Sequence, residues 1–215
     1  MPNKKFFSII ALLVMFLFNS LSAGAEMVRT VEGDDIKLPE PVKTGGMPLM
    51  DALQNRKSDR KFSKAELPLD VLSNLLWAAN GINRADGKRT VPTARNLQEI
   101  TVFVILKSGV YVYMAADNTL KLVSKEDLRP VVGGGAPVTL LYVADLSRQS
   151  KFYATADCGF IGQNVYLFSA ANGLATVFRG EINQFTISQK LQFSIGQDVL
   201  FGQSVGYPLG KKRTD

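Results

Sequence analysis

Histidine is absent from this 215-residue chain. That excludes Ser–His–Asp and Cys–His catalysis and the usual imidazole-ligated metal sites. Cysteine is nearly absent as well. Cys158 stands alone, so no disulfide can close within one chain. A stable fold must then rest on its apolar core or on assembly. A strong charge bias is also missing, with 25 Lys and Arg against 19 Asp and Glu. The aromatic residues sit in apolar runs rather than between cations, which argues against a nucleic-acid surface. No repeat and no low-complexity segment interrupts the chain. Any chemistry must come from other side chains or from a cofactor.

There is one long apolar run, Phe6 to Phe18, behind the basic start MPNKK and ahead of the small-residue exit NSLSAGA. That three-part layout is expected of a cleaved secretory signal peptide, residues 1–25, with Ala23 and Ala25 at the cut. The run is short for a membrane span, so no stable membrane anchor is expected after cleavage and the protein is expected in an exported, periplasm-like compartment. The rest, about 190 residues, suits a single domain, residues 47–215, preceded by an extended arm at 26–46. Without Lys4 and Lys5 the charge falls to 23 basic against 19 acidic. Clustering is then more informative than the sum.

Periodicity predicts a short helix in MPLMDALQNR, with Leu49 and Leu53 inward. A second runs through SKAELPLDVLSNLLWAANG, with Ser63 and Glu66 spaced as a capping box and Leu69, Leu72, Leu75, Leu76 and Ala79 on one stripe. Trp77 lies off that stripe, as core or as a lid. A loop over 82–98 leads to strands near 100–107, 110–115 and 119–123. SKEDLRPVV reads as a short helix opened by Ser124, and APVTLLYVADL as a strand buried on both faces. The longest helix is expected near 155–172, capped by Thr155 and apolar nearly all round, hence central and buried. A strand (LATVF), a helix (NQFTISQKLQF) and a last strand (DVLFGQSVGYP) follow. The fold class is α+β, a sheet packed around a buried helix.

Three stretches could carry chemistry. In NRKSDRKFS, Arg56, Ser58 and Arg60 alternate, so an extended backbone would aim them to one side. Two guanidinium groups and a hydroxyl suit a phosphate, although such a run taken alone reads first as a solvated turn. VPTARNLQ concentrates polar groups, Asn96 and Gln98 among them, just before a strand. GYPLGKKRTD ends the last strand in Lys211 and Arg213. The glycines at 133–135 lack the Lys and Ser or Thr of a phosphate loop. A role for Cys158 beyond packing has little to support it.

In order and spacing, NRKSDRKF, LLWAANGINRADGKRTVPTARNLQ, GFIGQNVYLFSAANGLATVFRG and GYPLGKKR resemble the FMN-dependent nitroreductase-like family, most closely its short branch related to thiazoline and oxazoline peptide oxidases. Glu99 departs from the pattern, which often has proline there. The resemblance implies a nitroreductase-like mixed, mainly antiparallel sheet around a central helix, an intertwined homodimer, and FMN at its interface. By position, Arg56, Lys57, Ser58 and Arg60 would hold the FMN phosphate and ribityl chain. Asn96 and Arg95 would contact the flavin, the backbone of Phe178, Arg179 and Gly180 would lie along its ring, and Lys211 and Arg213 would close on the phosphate. No catalytic side chain and no metal is implied. Electrons would pass from a small-molecule donor to a nitroaromatic, quinone or similar acceptor. A flavin- or ligand-binding protein without turnover is the alternative.

Overall fold

The structure, a computed structural model, describes residues 33–133 and 135–210. The signal-like segment, Lys211 and Arg213 lie outside the described residues. The strands are β1 (Ile36–Lys37), β2 (Ile100–Leu106), β3 (Gly109–Met114), β4 (Thr119–Ser124), β5 (Val138–Asp145), β6 (Ala175–Arg179) and β7 (Gln197–Gly206). The helices are α1 (Leu49–Asn55), α2 (Leu69–Asn80), α3 (Arg129–Val132), α4 (Lys151–Ala171) and α5 (Gln184–Leu191), with a 3-10 turn at Ala94–Asn96. The strands form one sheet in the order β1–β4–β3–β2–β5–β7–β6. Every described pairing is antiparallel.

β5 shows why the sheet is buried on both sides. Leu140, Tyr142 and Ala144 face α2 and α4, while Leu141 and Val143 face α3 and α5. All eight residues of the strand are buried, as its unbroken apolar run requires. The β2–β3 turn needs glycine. Gly109 has φ +145, and a Cβ there would lie 2.3 Å from the Ser124 carbonyl oxygen.

The long helix differs from expectation at its start and on its surface. It begins at Lys151, and the Thr155 hydroxyl bonds back to the Lys151 carbonyl at 2.7 Å. Thr155 is therefore inside the helix and not its cap. Ala154, Cys158, Ile161 and Val165 are buried at helical spacing, but Phe152, Tyr153 and Phe160 on the opposite side are open. So α4 is buried along one side only. α1 behaves likewise: Ala52 is its single buried residue, and Leu49 and Leu53, expected inward, point outward with Met50.

Two further starts are corrected. α2 opens at Leu69 after Pro68, and Ser63 accepts only the Ala65 amide, so Ser63 and Glu66 form no capping box. Leu69 is also outside the buried stripe, at 45% exposure. Ser124 ends β4 rather than opening a helix, and Asp127 grips Arg129 at the head of α3. Within the expected arm, β1 pairs with β4, and the Pro39 carbonyl accepts from Ser73 and Asn118.

Candidate functional site

The basic stretch leaves α1 as extended backbone and runs alongside the end of the chain. The Asp59 amide donates to the Thr176 carbonyl at 2.9 Å, the Ser63 amide to that of Tyr207 at 2.8 Å, and the Leu209 amide to that of Lys61 at 3.0 Å. These bonds fix where the cations stand. The Arg56 guanidinium lies 5.3 Å from the ring centre of Tyr166, within cation–π range. The Ser58 hydroxyl is 2.8 Å from the Tyr166 hydroxyl. That hydroxyl also accepts the Phe178 amide at 2.9 Å, so its own proton is free to go to Ser58. Arg60 lines a recess of about 230 Å³ with Phe178, Arg179 and Gly180. Lys57, out of phase, lines a neighbouring recess of about 440 Å³ beside Arg56, Asp59 and Tyr166.

Arg56, Ser58, Arg60 and the 178–180 segment are thus brought together, with Tyr166 as the tie. Sequence reasoning passed over Tyr166. The available signal was a phenol on the C-terminal half of a helix, just ahead of the 178–180 segment. Among the described residues, none of Arg56, Lys57, Arg60, Arg95 and Arg179 forms an ion pair. Arg56, Lys57 and Arg60, exposed and held in no ion pair although Asp59 and Glu181 line the same recesses, suit a dianionic phosphate, so this donor set fits the phosphate end of FMN. Gly162 on α4 is what lets Phe178 approach, since a Cβ there would fall 2.5 Å from the ring. Gly162→Ala is expected to push Phe178 out of register and lower stability by about 1–3 kcal/mol in thermal unfolding.

Arg95 and Asn96 lie elsewhere. Their turn sits near the N-terminal half of α4, where the Ala94 amide donates to Asp157 at 2.9 Å. Asp157 and Tyr166 are nine residues apart on α4, or about 13 Å along its axis. Arg95, Asn96 and Gln98 all have positive φ (59°, 54° and 50°). Non-glycine residues take that conformation at a cost of roughly 1–2 kcal/mol each. The surroundings hold them there. The Gln98 amide bonds Thr93 Oγ1 at 3.0 Å, and Arg89 Nε grips Gln98 Oε1 at 3.0 Å. Arg148 donates to the Leu97 carbonyl at 2.7 Å.

Directly behind this turn is a buried carboxyl pair. Glu99 and Asp157 are each 2% exposed. Burial first, and then the Asp157 carboxyl in contact with it, push the Glu99 carboxyl up from about 4.5 to about 7. Between those values the unfolded chain has released a proton that the folded chain still holds. The contribution of Glu99 to stability is therefore fully present below about pH 4.5 and is lost as pH rises through about 7, on the order of 3 kcal/mol in full. Denaturant unfolding at pH 5 and pH 8 should show that loss, and Glu99→Gln should remove it. Cys158, beside this pair, is fully buried and burial pushes its thiol up, so it is an inert packing group. Trp77 is half-buried, and its indole donates to the Ile82 carbonyl at the rim of a separate groove.

Fold and cations together define an α+β domain with a basic, ligand-sized recess at one end of its sheet. The chain belongs to the nitroreductase family, whose model matches residues 53–207. It is 28% identical over 170 residues to a candidate nitroreductase of Methanocaldococcus jannaschii, covering 68% of this chain and 83% of that protein. A crystal structure of a candidate nitroreductase from Ralstonia eutropha superposes with a TM-score of 0.80 at 34% identity, over 86% of this chain and 94% of the other. An FMN-dependent nitroreductase of Clostridium difficile shares the fold at a TM-score of 0.53 and 18% identity, over 77% of this chain and 91% of the other. The chain is an oxidoreductase by family.

Proposed function

We propose that this protein is an exported, homodimeric, FMN-dependent oxidoreductase of nitroreductase type, in the short branch related to thiazoline and oxazoline peptide oxidases. The observation that carries the cofactor is the set of cations without an ion pair among the described residues, Arg56 and Lys57 at one recess and Arg60 at the neighbouring one that Phe178, Arg179 and Gly180 line. When bound, FMN supplies the two-electron chemistry between a small-molecule donor and an acceptor such as a nitroaromatic or quinone. The chain binds and orients. Arg56 and Arg60 take phosphate oxygens, Ser58 donates or accepts at the ribityl chain, and Lys57 adds charge. Lys211 and Arg213 close from the C-terminal side, in line with the Leu209–Lys61 bond that brings the chain end there. The 178–180 backbone lies along the ring, and Arg95 and Asn96 supply polar contacts.

Two observations support the dimer. The open apolar faces of α1 (Leu49, Met50, Leu53) and α4 (Phe152, Phe160) need a cover. The separation of Arg95 and Asn96 from the Arg60 recess is met when each flavin draws on both chains. Export rests on the N-terminal signal pattern, and it sets aside NAD(P)H as the ready donor.

The test is direct. The purified protein should be yellow and release FMN on denaturation, identified by mass spectrometry. After dithionite reduction, a quinone or nitroaromatic should reoxidise it faster than air does. A colourless protein that takes up no added FMN overturns the cofactor reading. Bound FMN that no acceptor reoxidises faster than air marks a binding protein instead.

A further inference from the structure

Glu99 immediately precedes β2 and follows Gln98, the last left-handed residue of the 93–98 turn, and its burial has no ordinary explanation. Neither of its carboxyl oxygens receives a hydrogen bond from any donor among the described residues. The nearby polar groups are its own amide and the carboxyl of Asp157. The other groups facing it are few. Cys158 lies beside it on α4, and Arg148, on the turn after β5, is the cation whose charge reaches it. From α2 comes the neutral amide of Asn80, which bonds the Ile100 carbonyl. Across the turn, Arg89 is engaged with Gln98 and the Asn80 carbonyl.

Two ionised carboxylates cannot touch in such a place without a cation between them. One shared proton resolves the contact. Glu99, the one burial pushes up, holds the proton and donates it to Asp157, which also accepts the Ala94 amide. We propose that Glu99 is a positioning residue of this site: the proton it shares with Asp157 holds the Ala94 amide, and through it the left-handed Arg95–Asn96 turn, and loss of that proton frees the turn. A strained turn persists only while its surroundings over-determine it. An ionised Glu99 repels Asp157, which accepts the Ala94 amide, and draws Arg148, which donates to the Leu97 carbonyl. From outside the turn Ala94 then keeps only the long 3.4 Å bond from Gln149 to its carbonyl.

The latch itself stands on this geometry. Its effect on the cofactor rests on the reading that Arg95 and Asn96 meet FMN. Both are measured in the same samples: FMN affinity, and hydrogen exchange of the Ala94 amide, from about pH 5.5 to about pH 8.5 at fixed ionic strength. The FMN phosphate titrates near pH 6 in every variant, so the readout is the difference between variants. Native protein is expected to bind FMN about tenfold more weakly at the upper end, with Ala94 exchanging faster. Glu99→Gln, whose amide donates to Asp157 at any pH, stays tight and protected throughout. Glu99→Leu is loose throughout. Asp157→Asn shifts the transition to lower pH, since the like charge is gone. An Ala94 amide with the same pH-dependent protection in native and Glu99→Gln protein overturns the latch, with or without flavin bound. A latch seen in exchange but not in FMN affinity leaves Glu99 in place and removes Arg95 and Asn96 from the flavin site.

Discussion

Arg60→Ala is expected to weaken FMN binding about 10- to 100-fold, the equivalent of one charge-assisted phosphate contact of about 1.5–3 kcal/mol. Arg60 is the member of the basic stretch that lines the recess with Phe178, Arg179, Gly180 and Glu181, and among the described residues it forms no ion pair, with Glu181 or any other carboxylate. The variant should shed FMN at salt concentrations that native protein tolerates, because the surviving contacts are screened. Arg60→Lys should fall between the two, keeping the charge but losing the bidentate fork. Lys61→Ala is the control. Lys61 is exposed, and its backbone rather than its side chain makes the contacts with Asp59 and Leu209. Fluorescence titration of flavin-free protein at low and high salt reads all three. Affinity unchanged in both Arg60→Ala and Arg213→Ala would remove the clamp.

Gln203→Leu should be the most damaging change near the site that touches no ligand. Gln203 is fully buried on β7, with Oε1 accepting the Tyr142 hydroxyl at 2.6 Å and Nε2 donating to the Gly162 carbonyl and Thr176 Oγ1, each at 3.2 Å. Tyr142 is itself fully buried, and burial holds its phenol well above its usual range, so it remains a donor in search of an acceptor. Leucine leaves that hydroxyl unpaired and takes one bond from the Gly162 carbonyl. The expected loss is about 3 kcal/mol, or roughly 6–12 °C in Tm for a domain of this size. Adding Tyr142→Phe removes the orphan and should restore part of the loss. A double variant no more stable than the single one would show that the pair does not act as a unit. Phe178 is the register partner of Gln203, so flavin binding should weaken alongside.

The strands β2 to β5 were legible because β-branched and aromatic residues concentrate there between turn residues, and the buried part of the α2 stripe was legible from its spacing. The start of α4 was not. Thr155 has the chemistry of a cap, whereas Ser150, which holds the position, makes no side-chain cap bond; packing rather than local chemistry sets that end. With the start placed at Thr155, Asp157 falls in the first turn, where an acidic residue ordinarily faces water, and not on a buried side as it does in the structure. Glu99 was hidden for a related reason, as an acidic residue before a strand ordinarily faces water. Leu49 and Leu53 announced an apolar face but not whether it belongs to the core or to another chain. At the site, the alternation of Arg56, Ser58 and Arg60 was visible in the sequence. What pairs that stretch with residues 207–209, and so beside the 178–180 segment, is backbone hydrogen bonding between distant segments, which no local pattern announces.

The bonds from Ser63 to Tyr207 and from Lys61 to Leu209 join the first third of the chain to its last few residues. During synthesis, then, the basic stretch emerges long before the segment that fixes it. Contacts this distant in sequence form late and slow the approach to the native state. A nascent chain can build the β2–β4 meander and α2 early, yet it has no finished ligand site until β7 is in place. On the proposed function, flavin loading therefore waits for β7, and flavin content in a preparation reports how many molecules have joined these two segments.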